Sequence, residues 1–414
     1  MTSETELTPG CETPGCETPV PEAPCCEAAA PESPSALDAL RSEIDGINAQ
    51  MLALFERRMN VSARIAEAKQ AEGRAVGDPA RERAILAKVR SDATPGMESY
   101  ATVLFSLLME MSRGYQGRLL HPTSPLRGQI ETALRETPAL FPPAASVACQ
   151  GVEGAYSQLA AEKVFKHPAI SFFKSFEGVF RAVDAGFCEF GLLPLENSSA
   201  GTVNAVYDLM MKYDVHIVRT CRLKVDHDLV ALPGATLDGI TEVFSHEQAI
   251  AQCARYLEGL KGVRVTPVAN TAEAARMVAE SGRTDVAALS SRSCAGIYGL
   301  TTLARRVNDA ASNFTRFACI SKGLSIYPGA DRTSLMCVLP HEPGALYKAL
   351  ARLYSLDINL TKLESRPIPD RDFEFMFYFD LETPVYAPEF AALLCELDDI
   401  CDEFKYLGSY VELA

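Results

Sequence analysis

FGLLPLENSS, Phe190 to Ser199, runs from a strand-like apolar stretch straight into a polar cluster. Between about residues 145 and 324 similar short apolar runs recur: SVACQ, VHIVRT, EVFSH, VRVTPV, VAALS and FACIS. Helical segments separate them, which predicts an α/β domain with a mostly parallel sheet and room for two lobes around a cleft. Three polar clusters follow or end strand runs, where such folds place ligands. They are Glu196-Asn197-Ser198-Ser199, Ser245-His246-Glu247-Gln248 and Asn313-Phe314-Thr315-Arg316-Phe317. Turn chemistry accounts for any one of them; the three together point to a cleft that takes a polar anion. Gly151-Val-Glu-Gly154 is a weaker candidate for an anion-binding turn.

Upstream, residues 36–120 read as helices. Ser35 is a plausible N-cap, and Leu37, Leu40, Ile44, Ile47, Met51, Leu54, Val61, Ile65 and Ala68 recur at spacings of three and four. This predicts one helix of about 35 residues and about 50 Å. Asp78-Pro79 starts a second helix that runs to about Asp92, and a third runs from about Met97 to Leu119. Three helices so unequal do not close a core, and the first asks for a partner chain. Arg58 sits in its apolar stripe and needs an anion. Lys69, about three turns on, faces the same way. Arg41 lies about 26 Å away along the axis and cannot share a small ligand with Arg58 within one chain. Interhelical salt bridges with snorkelling are the alternative to an anion site.

The last 85 or so residues follow the order βαββαβ, the ferredoxin-like α+β plan with helices on one face of an antiparallel sheet. Residues 1–35 hold seven glutamates and no Lys, Arg or aromatic, a composition expected to stay disordered. Residues 121–144, rich in proline, read as a linker. The whole chain has 414 residues, 48% hydrophobic and 22% charged, with a formal charge of −15. No basic stripe suits nucleic acid, no apolar run spans a membrane, and no secretory signal opens the chain. Thirteen cysteines, mostly single, fit reduced thiols and a cytoplasmic location. Dinucleotide, P-loop and zinc motifs are missing, so neither cofactor nor metal is expected.

These clusters resemble the bifunctional chorismate mutase–prephenate dehydratase family. The resemblance spans about residues 36–413. It is carried by PLENSSAGTVN, SHEQA, AALSS, YGL and NFTRF, by Gly344-Ala345-Leu346 and Glu364-Ser365-Arg366-Pro367, and by scattered positions in the first helices. It departs at Leu195, Gln158 and Glu247, where isoleucine, histidine and proline are usual.

The resemblance implies a helical mutase domain over 36–120. It implies a two-lobed, periplasmic-binding-protein-like dehydratase domain over 145–324 and an ACT regulatory domain over 330–412. Chorismate would meet Arg41, Arg58, Lys69, Asp78, Arg81, Glu82, Ser112 and Gln116, with Arg41 reaching into a partner's site. Lys69 and Gln116 would donate to the breaking ether bond, and Asp78 and Glu82 would orient the ring hydroxyl and Arg81. Prephenate would meet Glu196, Asn197, Ser198, Ser245, His246, Gln248, Thr315 and Arg316, with Thr315 essential. L-Phenylalanine would bind near Gly344, Ala345, Leu346, Glu364, Ser365 and Arg366, in a homo-oligomer. The competing readings are an arogenate-preferring dehydratase and a catalytically inactive phenylalanine sensor.

Overall fold

The computed structural model describes residues 35–74, 77–120, 125–368, 371 and 374–414. The acidic tail up to residue 34 and linker residues 121–124 lie outside the described residues. The chain divides into two compact units, Met1–Val61 and Ser62–Ala414. No helix among the described residues is long and apolar enough to cross a membrane.

Helix α1, Ala36–Ala71, opens on a reciprocal cap. The Asp38 amide donates to Ser35 Oγ at 3.2 Å, and the Ser35 amide and hydroxyl donate to the Asp38 carboxylate. In the first unit the expected apolar stripe is present but uncovered. Leu37, Leu40, Ile44, Ile47, Met51 and Leu54 are 45–64% exposed. Such surface gains about 25 cal/mol per Å² when buried.

The second unit continues with α2, Pro79–Asp92, and α3, Glu98–Leu120. Asp78 caps α2 by accepting from the Arg81 amide at 3.0 Å. The expected linker is not irregular throughout. Pro125–Glu136 form α4, with Ile130 and Ala133 buried in the C-terminal core. The prolines there flank an amphipathic segment instead of interrupting it: Pro125 starts the helix, where its missing N–H costs nothing.

The first lobe of the middle domain contains β1 (Ala144–Gln150), α5 (Tyr156–Val164), β2 (His167–Phe173), α6 (Phe176–Asp184), β3 (Phe190–Asn197), β4 (Gly201–Thr202), α7 (Asn204–Lys212) and β5 (His216–Lys224). The second contains β6 (Asp228–Ala231), β7 (Glu242–Ser245), α8 (Glu247–Gln252), α9 (Ala254–Glu258), β8 (Arg264–Pro267), α10 (Thr271–Ser281), β9 (Val286–Ser290), α11 (Arg292–Ile297) and β10 (Thr301–Ala304). Strand β11 (Phe314–Ser321) then returns to the first lobe between β3 and β5. β1 is parallel to β2 and β3, and β7 to β8 and β9. β11 is antiparallel to both neighbours and β6 to both of its own, so the sheets are mixed where a mostly parallel one was expected. A chain that crosses to the other lobe and comes back enters the first sheet from the opposite end.

The C-terminal domain has the expected order: β12 (Arg332–Val338), α12 (Ala345–Ser355), β13 (Asn359–Pro367), β14 (Phe375–Glu382), α13 (Pro388–Ile400) and β15 (Glu403–Leu413). Its strands lie β13-β14-β12-β15, all antiparallel. Phe379 and Leu381 pack with Phe390 and Leu393 beneath the helices. The other face is also buried. Met376, Tyr378 and Tyr410 pack into the first-lobe core beside Val206, Tyr207 and Met210. The Tyr207 and Tyr378 rings meet edge to face at 4.5 Å. Strand β15 pairs parallel with β5, Val411 opposite Arg219, so the two domains share one continuous sheet.

Gly408 makes that junction possible. Its φ is 133°, and a Cβ there would stand 2.3 Å from the Ile217 carbonyl oxygen. Gly408→Ala should therefore cost about 1–3 kcal/mol from backbone strain alone. A lowered unfolding temperature with loss of the β5–β15 pairing, read by hydrogen exchange, is the expected result. An unchanged melting curve would show that the strands part at no cost.

Candidate active site

A cavity of about 490 Å³ lies between the two lobes. Strand ends and helix starts build its wall. Gln150 ends β1, Lys174 follows β2, Asn197 ends β3, His246 follows β7, and Asn270 precedes α10. Tyr156 and Ser157 open α5, while Thr315 and Phe317 come from β11. Ser157 Oγ donates to the Gln150 carbonyl at 2.6 Å, tying the α5 start to the β1 end.

One amide orients the centre of the cavity. Asn197 Oδ1 accepts from the Ser199 and Ala200 amides, each at 3.0 Å, and from Gln252 Nε2 at 3.2 Å. With its oxygen so occupied, its Nδ2 must point the other way. It donates to Thr315 Oγ1 at 2.9 Å and to Asn313 Oδ1 at 2.7 Å. Thr315 Oγ1 is then an acceptor, and its own proton is free to point into the cavity. Gln252 Oε1 takes Asn313 Nδ2 at 3.0 Å and lies 3.2 Å from His227 Nε2, an arrangement that assigns the proton to that nitrogen. Burial pushes the His227 pKa down, against the opposing effects of Gln252, Asp226 and Asp228, so the ring is neutral near pH 7. Tyr156 Oη donates to the Asp226 carbonyl at 2.7 Å beside it.

Strand geometry splits the expected dehydratase residues. Asn197 and Thr315 are paired across β3 and β11, as are Glu196 and Arg316, but the two pairs face opposite sides. Glu196 and Arg316 therefore do not line the cavity, which corrects the reading that put them on substrate. Arg316 is buried on the back of the sheet. Its Nη1 lies 2.5 Å from Asp380 and 3.3 Å from Glu196, its Nε 2.9 Å from Glu412, and its Nη2 donates to Tyr410 Oη at 2.9 Å. Burial alone would lower the guanidinium pKa, but Tyr410 and Asp380 more than reverse that and hold it charged. A bulge between Arg316 and Phe317 lets Pro194 share the cavity face with Asn197, a turn of the strand typical beside active sites.

Ser198 also misses the cavity: it donates to the Ser312 carbonyl and accepts from the Phe314 amide at 3.0 Å. Ser245 is fully buried and donates to the Leu289 carbonyl at 2.8 Å, tying β7 to β9. His246 and Gln248 do line the cavity, with His246 capping α8. Glu247 holds the first helical position, which proline suits as well, so that departure leaves the turn intact. The Gly151–Gly154 turn has two of its amides engaged within the protein. Its Gly151 amide is taken by the Phe173 carbonyl and its Gly154 amide by Gln158 Oε1. Gln252, His227, Tyr156 and Lys174 were missed by sequence reasoning. Only Gln252 carried a signal, one helical turn after Gln248.

In the helices, Arg41 is exposed and paired with Asp38 at 3.3 Å, and Arg58 is partly buried, which lowers its pKa. Lys69 stands in the last turn of α1. Glu82 accepts from Arg113 Nη1 at 2.8 Å, so it is tied to Arg113 and not to Arg81. Arg113 also pairs with Glu110. Ser112 Oγ donates to the Leu108 carbonyl at 2.8 Å. Gln116 Nε2 donates to Ser62 Oγ at 2.7 Å, leaving its buried Oε1 without a partner.

In the C-terminal domain Gly344 precedes α12 at φ 86°, where no neighbour crowds a Cβ; the backbone angle alone favours glycine. Ala345 and Leu346 border a cavity of about 390 Å³ with His341, Glu342 and Phe377. Glu364 and Arg366 do not reach it. Glu364 accepts from Thr202 Oγ1 at 2.9 Å, and Arg366 grips Asp208 with two nitrogens. Ser365, between them, is exposed on the other face of β13.

Residues 40–117 match the model of chorismate mutase type II, and residues 147–324 that of prephenate dehydratase. A bifunctional chorismate mutase/prephenate dehydratase of Escherichia coli K12 is 31% identical over 91% of this chain and 97% of its own. An Arabidopsis thaliana arogenate dehydratase/prephenate dehydratase is 37% identical over 64% of this chain and 72% of its own. A prephenate dehydratase from Arthrobacter aurescens, solved with L-Phe, superposes with a TM-score of 0.59 at 27% identity, over 64% of this chain and 89% of that one. A helical mutase region followed by a two-lobed α/β region, matched across nearly the whole of one relative, leaves a single assignment: the chain belongs to the bifunctional chorismate mutase/prephenate dehydratase family.

Proposed function

We propose that residues 36–120 rearrange chorismate to prephenate and residues 145–324 convert prephenate to phenylpyruvate, with 330–412 an ACT module controlled by L-phenylalanine. The observation that carries the dehydratase half is the fixed amide of Asn197, which leaves the Thr315 proton free to meet a leaving hydroxyl. Loss of that hydroxyl and of carbon dioxide aromatises the ring, so one oriented donor supplies what the reaction lacks. The dianion is held by Lys174 and by the starts of α5, α6 and α10, whose free amides and dipoles favour carboxylates. An ammonium in place of the keto group would meet no carboxylate among the lining residues described, which favours prephenate over arogenate.

The mutase half needs no nucleophile. It must hold a folded dicarboxylate and aim donors at its ether oxygen. Arg58 suits one carboxylate, and Lys69 and Gln116 the ether. The partnerless Gln116 oxygen supports the reversed amide, with Ser62 donating and Nε2 turned outward. The uncovered α1 stripe supports a dimer in which Arg41 completes the partner's site. The nine described cysteines are free thiols, in keeping with a cytoplasmic enzyme. The cavity beside Gly344 supports a small effector such as phenylalanine, held by the first-turn amides of α12.

Lys69→Ala should lower chorismate turnover by about 10²–10³-fold and spare dehydration, and Thr315→Ala should do the reverse. Loss of both activities from either folded variant would overturn separate sites. Mixed Arg41→Ala and Arg58→Ala chains should recover part of the mutase activity through hybrid dimers carrying one intact site; confirmed hybrids with no recovery would refute sharing. His227 binds its proton more weakly folded than unfolded, so its contribution to stability is complete above about pH 6.5 and fades as pH falls below it. Dehydratase rate and unfolding temperature should decline together there, and His227→Gln should flatten that acid limb.

A further inference from the structure

We propose that the C-terminal domain forms the rear support of the dehydratase site, with Arg316, Asp380 and Lys362 as positioning residues that hold Thr315 and Asn197 in register. This rests on the dehydratase reading of the cavity. The argument begins with the two cross-strand pairs. Asn197 and Thr315 face the cavity, and their chain neighbours Glu196 and Arg316 face the opposite side. Among the described residues, the charged groups that meet this rear pair belong to the C-terminal domain. Asp380 of β14 and Glu412 of β15 flank the guanidinium, and Lys362 of β13 lies 2.5 Å from Glu196.

The cage is itself braced. Tyr410 Oη lies 2.6 Å from Ser334 Oγ, Tyr378 donates to Ser334 at 2.9 Å, and Ser334 donates to Asp380. Arg316 and Asp380 are nearly inaccessible, so a freed guanidinium finds no water to replace its partner in place. It would draw β11 toward another carboxylate, and Thr315 is the next residue on that strand. The Asn197–Thr315 bond spans 2.9 Å, and shifts of about 1 Å at such a contact cost about 10²-fold in rate. Truncation of the C-terminal domain would strip the support along with any regulation.

The test uses the full chain, with prephenate and chorismate turnover measured on the same preparation. Asp380→Asn keeps shape and removes charge. It should lower dehydratase kcat about tenfold, change KM less than about twofold, and leave mutase turnover unaltered. Lys362→Met should act in the same direction more weakly. In a Thr315→Ala background, Asp380→Asn should change the residual rate less than about twofold, because the group it positions is gone. Equal effects in both backgrounds, a raised KM at constant kcat, or an unchanged kcat would each overturn the proposal. If Asp380→Asn loses mutase turnover as well and so fails to fold, Lys362→Met and Glu412→Gln decide by the same criteria. Wild-type protein that turned over no prephenate would defeat the dehydratase reading itself.

Discussion

A guanidinium buried behind the β3–β11 pair constrains how the middle and C-terminal domains of this protein are joined. Removing an arginine charge from water costs several kcal/mol unless carboxylates and hydroxyls replace the lost hydration. Arg316 receives them from Asp380, Glu412, Glu196 and Tyr410, three of which lie beyond residue 330. The first lobe and the C-terminal sheet therefore share one polar centre inside a common apolar core. The continuous β5–β15 pairing follows from the same contact, with Gly408 letting the backbones meet.

Polar groups in the cavity form a chain of obligations. Asn197 spends its oxygen on two loop amides and Gln252, Gln252 spends its own on Asn313 and His227, and each choice dictates the next. The outcome is a Thr315 hydroxyl that accepts from Asn197 and keeps its own proton for the cavity. Such networks rigidify a site only when every member is satisfied, which makes a neutral His227 part of the arrangement.

The C-terminal domain also meets the mutase end of the second unit. Arg352 of α12 bonds the Glu110 carbonyl and carboxylate of α3 at 3.0 and 3.1 Å, with Glu396 of α13 at 3.5 Å. A Cβ at Gly114 would stand 2.9 Å from that guanidinium, so the small residue makes room for the contact. One domain thus touches the elements of both proposed activities, by arginine in each case.

Residue order by itself determined the local elements and the chemistry available. The capped ends of α1 and α2, the βαββαβ order and the polar clusters at strand ends follow from capping, periodicity and turn preferences within a few residues of each position. Alternation along a strand was legible too, and it already separates Thr315 from Arg316. What it could not say is which face meets the cleft and which meets another domain, because that depends on strands 60 to 200 residues distant. Hence Glu196, Arg316 and Arg366 read as ligand contacts and proved to be in interdomain ion pairs, and Glu364 proved to accept a hydrogen bond from Thr202. His227 and Lys174 stayed hidden for the same reason: nothing local marks them, and only the closing of two lobes brings them to one cavity.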